Sequence, residues 1–356
     1  MRIAFLWPRL SGYMNCCLKA LAAAPKTELF VCNQEASVND PFDLAQFQWM
    51  KNRYEFAREP DAKQLLDRLE AFKPDLLLGG VWNIAGYRYV CRRLRNRCPR
   101  ICLIDNQWRG TAKQWLGSLT APWYLHRFYD GIFAPGERQV SWARHMGFSD
   151  SNIWRGSLTC NVSEFERVHC SRQEASSRKF LYLGRLSQEK GIEALACGYR
   201  QYRNASQEPW PLHIAGVGPL RHLLENIPGV VFRGFVQPEQ VPQLFLDAGC
   251  LVLPSKSEQW GVAIHEAAAS GVPVICTSAC GASVHLVQDR YNGFVIPPND
   301  PCSIAAAFAE FASLPPDRRN QMGNASASLA LQFTPERWAN TVLDRGSKLI
   351  KQGSSC

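Results

Sequence analysis

The sequence predicts an α/β protein made of two doubly wound Rossmann-like domains facing across a cleft. Three observations predict it. Short apolar runs alternate with amphipathic stretches along the chain, the pattern of βαβ units and parallel sheets. The length of 356 residues suits two domains, and 46% apolar residues supply two cores. The polar, aperiodic stretch Cys170–Lys179 (CSRQEASSRK) separates two halves of similar layout. The expected boundaries are therefore 1–169 and 170–333, with a final helix over 334–356.

The elements follow in order. Arg2–Leu6 reads as the first strand, and a Pro/Gly loop from Pro8 to Gly12 leads into a helix near Tyr13–Ala23. Glu28–Cys32 is a second strand. Ala62–Phe72 is an amphipathic helix stopped by Lys73-Pro74. Asp75–Leu78, Arg100–Ile104, Gly131–Phe133 and Asn152–Trp154 complete the first sheet. The second half restarts with the strand Phe180–Leu183 and a helix from about Gly191. Then come Leu212–Ala215, a helix near Leu220, Val230–Phe232, a helix from Pro238, and Cys250–Leu253. Val272–Cys276 and Gly293–Ile296 are the last strands, and Ala305–Ala312 is helical. The final helix starts at FTPERW, with Thr334 as N-cap and Pro335 at its first position.

Composition narrows the function classes. No stretch approaches the ~18 uninterrupted apolar residues of a membrane-spanning helix. The fourteen cysteines are scattered, many in apolar runs, and form no CxxC pair. Buried free thiols in a reducing cytoplasm are expected rather than a zinc ribbon or a disulfide framework. Net charge is +9 and uneven, with 23 Lys+Arg against 16 Asp+Glu in residues 1–170 and 17 against 15 thereafter. The densest basic run is Arg88, Arg92, Arg93, Arg95, Arg97 and Arg100. It reads either as a solvated helix face or as peripheral contact with an anionic membrane, at the inner face, or with an anionic acceptor. Nucleic acid is not expected, since no binding motif accompanies the charge. Trp108, Trp115, Trp123 and Tyr124 fit a membrane-associated acceptor, a soluble acceptor, or packing under a long loop.

Four loops of the second half share the position after a strand where doubly wound sheets bind ligands. GRLSQEKG, residues 184–191, brings Arg185 and Lys190 to a turn closed by Gly191; a guanidinium and an ammonium together suit a diphosphate. AGVGP, residues 215–219, offers Gly216 and Gly218 for close ligand approach, or is simply a tight turn. RGFV, residues 233–236, places Phe235 where an aromatic edge can border a nucleobase. PSKSEQWGVAIHEAAASGVPV follows Cys250–Leu253. There Glu258 precedes Gln259, Trp260, Gly261 and Val262, whose amides open a helix, and Glu266 lies about one turn in. A carboxylate can accept from both hydroxyls of a vicinal diol. The small residues Ala267–Gly271 let that helix pack closely on the sheet, which argues against a freely solvated Glu266. His265 reads as a packed or backbone-bonded histidine.

These four motifs, in this order and with Glu-x7-Glu, resemble the family 4 retaining glycosyltransferases of the GT-B fold. The resemblance covers roughly residues 178–315 and rests only on layout over residues 1–170. It implies transfer of a hexose, in glycan biosynthesis, from a nucleotide-diphosphate sugar to a hydroxyl acceptor, with a UDP-sugar favoured. The acceptor would be a glycan, a lipid-linked sugar or a small molecule. It implies no metal and no other cofactor. Arg185 and Lys190 would hold the diphosphate, Glu258 and the Gln259–Val262 main chain the sugar, and Glu266 the ribose. Gly216, Gly218 and Phe235 would border the nucleotide. Gly12 would face the donor phosphates from the first domain, and the final helix would return to that domain. The sequence departs from the family in three places. The loop after the first strand has the single glycine Gly12, Trp260 stands where Phe is common, and Asp105, Asn106 and Gln107 stand where a histidine is usual. Asp105 is the candidate positioning carboxylate there. No Asp-x-Asp pair occurs in the chain, so the usual cation clamp for a nucleotide-sugar is missing and Arg185 and Lys190 are the available counter-charges. Other readings are an epimerase or hydrolase on the same fold, or a non-catalytic nucleotide-sugar or glycan-binding subunit.

Overall fold

A computed structural model describes residues 1–35, 44–80, 82–172 and 177–353. The chain divides into two compact units, Met1–Thr159 with Pro335–Cys356, and Cys160–Thr334.

The first unit is built on a seven-stranded sheet of order β3-β2-β1-β4-β5-β6-β7. Its strands are β1 (Arg2–Trp7), β2 (Glu28–Gln34), β3 (Arg53–Phe56), β4 (Leu76–Gly80), β5 (Arg100–Leu103), β6 (Gly131–Ala134) and β7 (Ile153–Arg155). Every pairing is parallel. The interior strands β4, β5 and β6 are buried along their whole length, which is why they read as continuous apolar runs. The second unit carries six parallel strands in the order β10-β9-β8-β11-β12-β13. These are β8 (Phe180–Leu183), β9 (Leu212–Ala215), β10 (Val230–Gly234), β11 (Cys250–Leu253), β12 (Val274–Thr277) and β13 (Gly293–Ile296). In each sheet the winding reverses at one pair, β1/β4 and β8/β11. Loops leaving the carboxyl ends of such a pair diverge and leave a crevice between them.

The structure amends the sequence reading at five points. The edge strand β3 was not anticipated, because Arg-Tyr-Glu-Phe is short and half polar. The helix expected near Leu220 is a single 3-10 turn, Pro219–Leu223, begun by Pro219. The helix expected from Pro238 opens as a 3-10 turn before the short helix Val241–Leu246. The expected linker is partly helical: Val162–Ser171 forms a helix whose Phe165 packs edge-on against Phe245 at 5.9 Å. Of that linker, residues 173–176 lie outside the described residues. The compact units meet in sequence at Thr159 and Cys160, within ten residues of the expected boundary at 169. Finally, the basic run is no single patch. Arg100 is fully buried, ion-paired to Asp130 at 2.5 Å and donating to Cys91 O at 3.0 Å. Arg97 pairs with Glu70 at 2.7 Å, and Arg88 donates to Trp82 O. Arg92 and Arg93 end the helix Ala85–Arg93, where cations complement the helix dipole.

The last helix, Pro335–Gly353, groups with the first unit. Trp338 holds it there: the indole is buried, lies 5.7 Å from the Phe133 ring, and donates from Nε1 to Ser157 O at 3.1 Å. The thirteen described cysteines are all free thiols. Replacing Trp338 by Ala removes a filled volume and a buried hydrogen bond together. We expect a loss of about 3–5 kcal/mol of unfolding free energy, measured by urea denaturation.

Candidate active site

At the carboxyl ends of β8, β9, β10 and β11, four loops are laced together by main-chain hydrogen bonds. Gly184 N–H donates to Ala215 O at 3.0 Å, Leu186 N–H to Val217 O at 2.9 Å, and Leu220 N–H to Leu186 O at 3.0 Å. Gly216 N–H donates to Gly234 O at 2.7 Å. On the other side of β8, Lys256 N–H and Ser257 N–H both donate to Glu189 O, at 2.9 and 3.1 Å. The approaches are close enough to require glycine at Gly191, Gly216 and Gly218. A Cβ on Gly216 would lie 1.8 Å from Gly184 O. One on Gly191, at φ +72°, would lie 2.1 Å from Pro254 O.

This lacing brings the charged residues together. The Lys190 ammonium and the Glu258 carboxylate form an ion pair, with only 16% and 14% of their side chains exposed. Ser255 Oγ lies 3.4 Å from the same Glu258 oxygen. Arg185 is far more open and contacts Glu189 at 3.5 Å. Glu189 is held below the usual carboxylate range chiefly by the Ser187 hydroxyl at 2.6 Å, with Arg185 and Lys190 adding to the effect. Phe235 is 40% exposed just after β10, and Val217 stands exposed between Gly216 and Gly218.

The Gln259–Val262 stretch leads from the Glu258 loop into the next helix. The Trp260 side chain is buried, edge-on to Phe333 at 5.3 Å, so this residue offers a ligand its main chain and not its ring. Gly261, at φ +92°, is the N-cap of the helix Val262–Ala269, and no side chain caps it. The helix is too small and apolar on its inner face to carry a charge there: Ala267, Ala268 and Ala269 are buried against the unit. Glu266, on the same helix, is half-buried, and this burial pushes its carboxyl up to about 7. The Glu164 carboxylate adds to that rise. Glu164 sits on Val162–Ser171, far away in sequence, and no local pattern would have singled it out. Ser187, Glu189 and Ser255 lay within the quoted motifs and were passed over.

His265 is fully buried. Its Nδ1 accepts from Cys160 N–H at 3.2 Å and its Nε2 meets Ala330 O at 3.0 Å, so Nε2 carries the proton. Burial lowers its value to about 4, and it ties two segments together as a neutral ring.

In the first unit, Gly12 is the first residue of the helix Gly12–Ala23, which has no side-chain cap and no acidic residue in its first turn. Asp105 follows β5. Desolvation raises its carboxyl, and it in turn adds to the rise of the half-buried Tyr13 hydroxyl. Tyr13, on the helix Gly12–Ala23, and Asp105 are therefore electrostatic neighbours. Among the described residues no group of three or more His, Cys, Asp or Glu could hold a metal ion.

Known proteins resemble this chain in sequence and in fold. Residues 170–328 match the family model for glycosyl transferases group 1. That match lies wholly within the second unit. An uncharacterized glycosyltransferase of Methanocaldococcus jannaschii is 30% identical over 168 residues, 44% of this chain and 42% of that protein. A GDP-mannose-dependent alpha-mannosyltransferase of Corynebacterium glutamicum is 26% identical over 247 residues, 64% of this chain and 56% of that one. The chain thus spans about half the length of these curated relatives. Among solved structures, Anabaena HepE in complex with UDP aligns over 98% of this chain and 100% of its own, with a TM-score of 0.75 at 17% identity. Sucrose-phosphate synthase of Thermosynechococcus elongatus aligns over 100% of both chains with a TM-score of 0.71 at 18% identity. These likenesses establish the GT-B fold.

The raised Glu266 carboxyl has a pH consequence. A folded value of about 7, against an ordinary 4.5, means the folded chain binds this proton more tightly than the unfolded chain. Its contribution to stability is full below about 4.5 and is lost as pH rises through about 7. Glu266→Gln removes that dependence. The variant should gain in urea midpoint over the parent at pH 8, with the gain shrinking steadily toward pH 5.

Proposed function

We propose that this protein is a retaining glycosyltransferase that moves a hexose from a nucleotide-diphosphate sugar to a hydroxyl acceptor without a metal. The observation that carries the reading is the Lys190–Glu258 pair, held where the winding of the sheet reverses by four hydrogen-bonded loops. A cation paired to a carboxylate at that point can neutralise a diphosphate, while the carboxylate turns to sugar hydroxyls. Arg185, open and on the same loop, supplies the second positive charge. Glu266 accepts from the ribose hydroxyls, and Gly216, Gly218 and Phe235 border the nucleotide. The second unit binds the donor and the first the acceptor, with Gly12 beside the phosphates and Asp105 orienting the incoming hydroxyl. A UDP-sugar is favoured, in keeping with the UDP complex of Anabaena HepE. The acceptor is a glycan, a lipid-linked sugar or a small molecule.

The bond from the anomeric carbon to the diphosphate breaks as the acceptor oxygen bonds to the same face of that carbon. The acceptor proton passes to the departing diphosphate oxygen. No enzyme base is then required, which suits Asp105 in a place where a histidine is usual. Glu258 is tied to Lys190 and serves as a holder of the sugar rather than a nucleophile.

Two measurements test this. A panel of UDP-, GDP-, ADP- and CMP-sugars read by thermal shift identifies the donor, since a ligand at ~100 times its dissociation constant adds ~2.7 kcal/mol of stability. With that donor, Lys190→Ala should lower kcat about 10²-fold, or ~3 kcal/mol, and EDTA should leave the parent's turnover unchanged. Full turnover by Lys190→Ala, or a strict need for magnesium or manganese, would overturn the assignment.

A further inference from the structure

The helix Ala112–Tyr124 is built inside out. Its inner face, at i, i+3, i+4 and i+7, consists of Gln114, Gly117, Ser118 and Ala121, of which Ser118 and Ala121 are buried. Its outer face carries Trp115, Leu116, Leu119, Trp123 and Tyr124, each between 46% and 71% exposed. Single exposed apolar residues need no explanation, but five large ones on one short helix form a contiguous patch. The segment is held firmly. Thr111 caps it through the Gln114 amide, and Gln114 Nε2 donates to Gln107 O at 2.8 Å. Trp115 stands edge-on to Trp108 at 5.1 Å, and Trp108 is stacked on the His145 ring at 3.9 Å. Frayed chain is therefore not the reason for the exposure.

Charge decides what fits this face. Residues 106–129 contain Arg109, Lys113 and Arg127 and no Asp or Glu. All three cations are exposed. A second copy docked through the same face would bring like charges together, with no acid on either side to pair them. A bilayer with anionic lipids suits both features. Trp and Tyr favour the headgroup level, leucines enter the acyl boundary, and flanking cations meet lipid phosphates. The helix has 13 residues, too few to span a membrane, so it would lie in the plane of the interface.

We propose that the outer face of Ala112–Tyr124 seats the protein on the surface of an anionic lipid bilayer. The proposal is independent of the chemistry inferred above. The experiment is flotation of the full chain with phosphatidylcholine vesicles, with and without phosphatidylglycerol. The parent should float with the anionic vesicles and more weakly with the neutral ones. The double variant Leu119→Ser with Trp123→Ser should partition at least about tenfold less, and Lys113→Glu should weaken binding and its salt dependence. Because these side chains project from the fold, the variants should keep the parent's unfolding midpoint and bind its nucleotide as the parent does. Four outcomes overturn the proposal: the double variant floats like the parent; the parent floats with neither vesicle; binding is lost only on replacing Arg92, Arg93 and Arg95; or the parent is a dimer that the double variant converts to monomer.

Discussion

The candidate site depends on one contact between two loops, the ion pair of Lys190 with Glu258 above the double hydrogen bond from Lys256 and Ser257 N–H to Glu189 O. The two loops leave β8 and β11, the strands at which the winding of the second sheet reverses and between which no crossover runs. Without a bond across that gap they would diverge. The carbonyl of Glu189 closes the gap at the main chain, and the Lys190 side chain closes it again with charge. Both members of the pair are mostly withdrawn from water, so removing one strands the other, and the arrangement is enforced mutually. The glycine at 191 is a condition of this contact, since any Cβ there would meet the Pro254 carbonyl.

The two glutamates of the Glu-x7-Glu motif are near in sequence and placed in opposite surroundings. Glu258 faces an ammonium and a serine hydroxyl. Glu266 sits on an alanine-rich helix with a second carboxylate, Glu164, as its charged neighbour. One acid therefore has a cation and a hydroxyl beside it. The other is held near the midpoint of its titration at neutral pH. A ligand that donates hydroxyl protons to Glu266 offers what its protein surroundings withhold.

Much of the architecture was legible in the sequence because parallel strands covered on both faces appear as uninterrupted apolar runs. Phe180–Leu183, Cys250–Leu253 and Gly131–Phe133 are of that kind, and each is a strand. Strands and helices that mix polar and apolar residues were harder to read. The edge strand Arg53–Phe56 and the inside-out helix Ala112–Tyr124 depart from the rule that apolar residues face inward. The glycine loops were legible as places of close backbone approach, though Gly-x-Gly after a strand fits a tight turn as well as a ligand. The fate of the arginine run was not, since burial of Arg100 follows from Asp130 on a neighbouring strand's approach, and no local pattern announces it.

The sequence by itself determined most of the strand order, the loops of the candidate site and the residue types within them. These are properties of nearest neighbours along the chain, and backbone sterics and hydrophobic periodicity write them locally. The tertiary structure alone decided three things: that Lys190 meets Glu258, that Glu164 stands by Glu266, and that Trp260 turns inward while Trp123 turns outward. Charge pairing, desolvation and side-chain exposure are set by whatever the fold brings alongside, and those neighbours lie tens to hundreds of positions away.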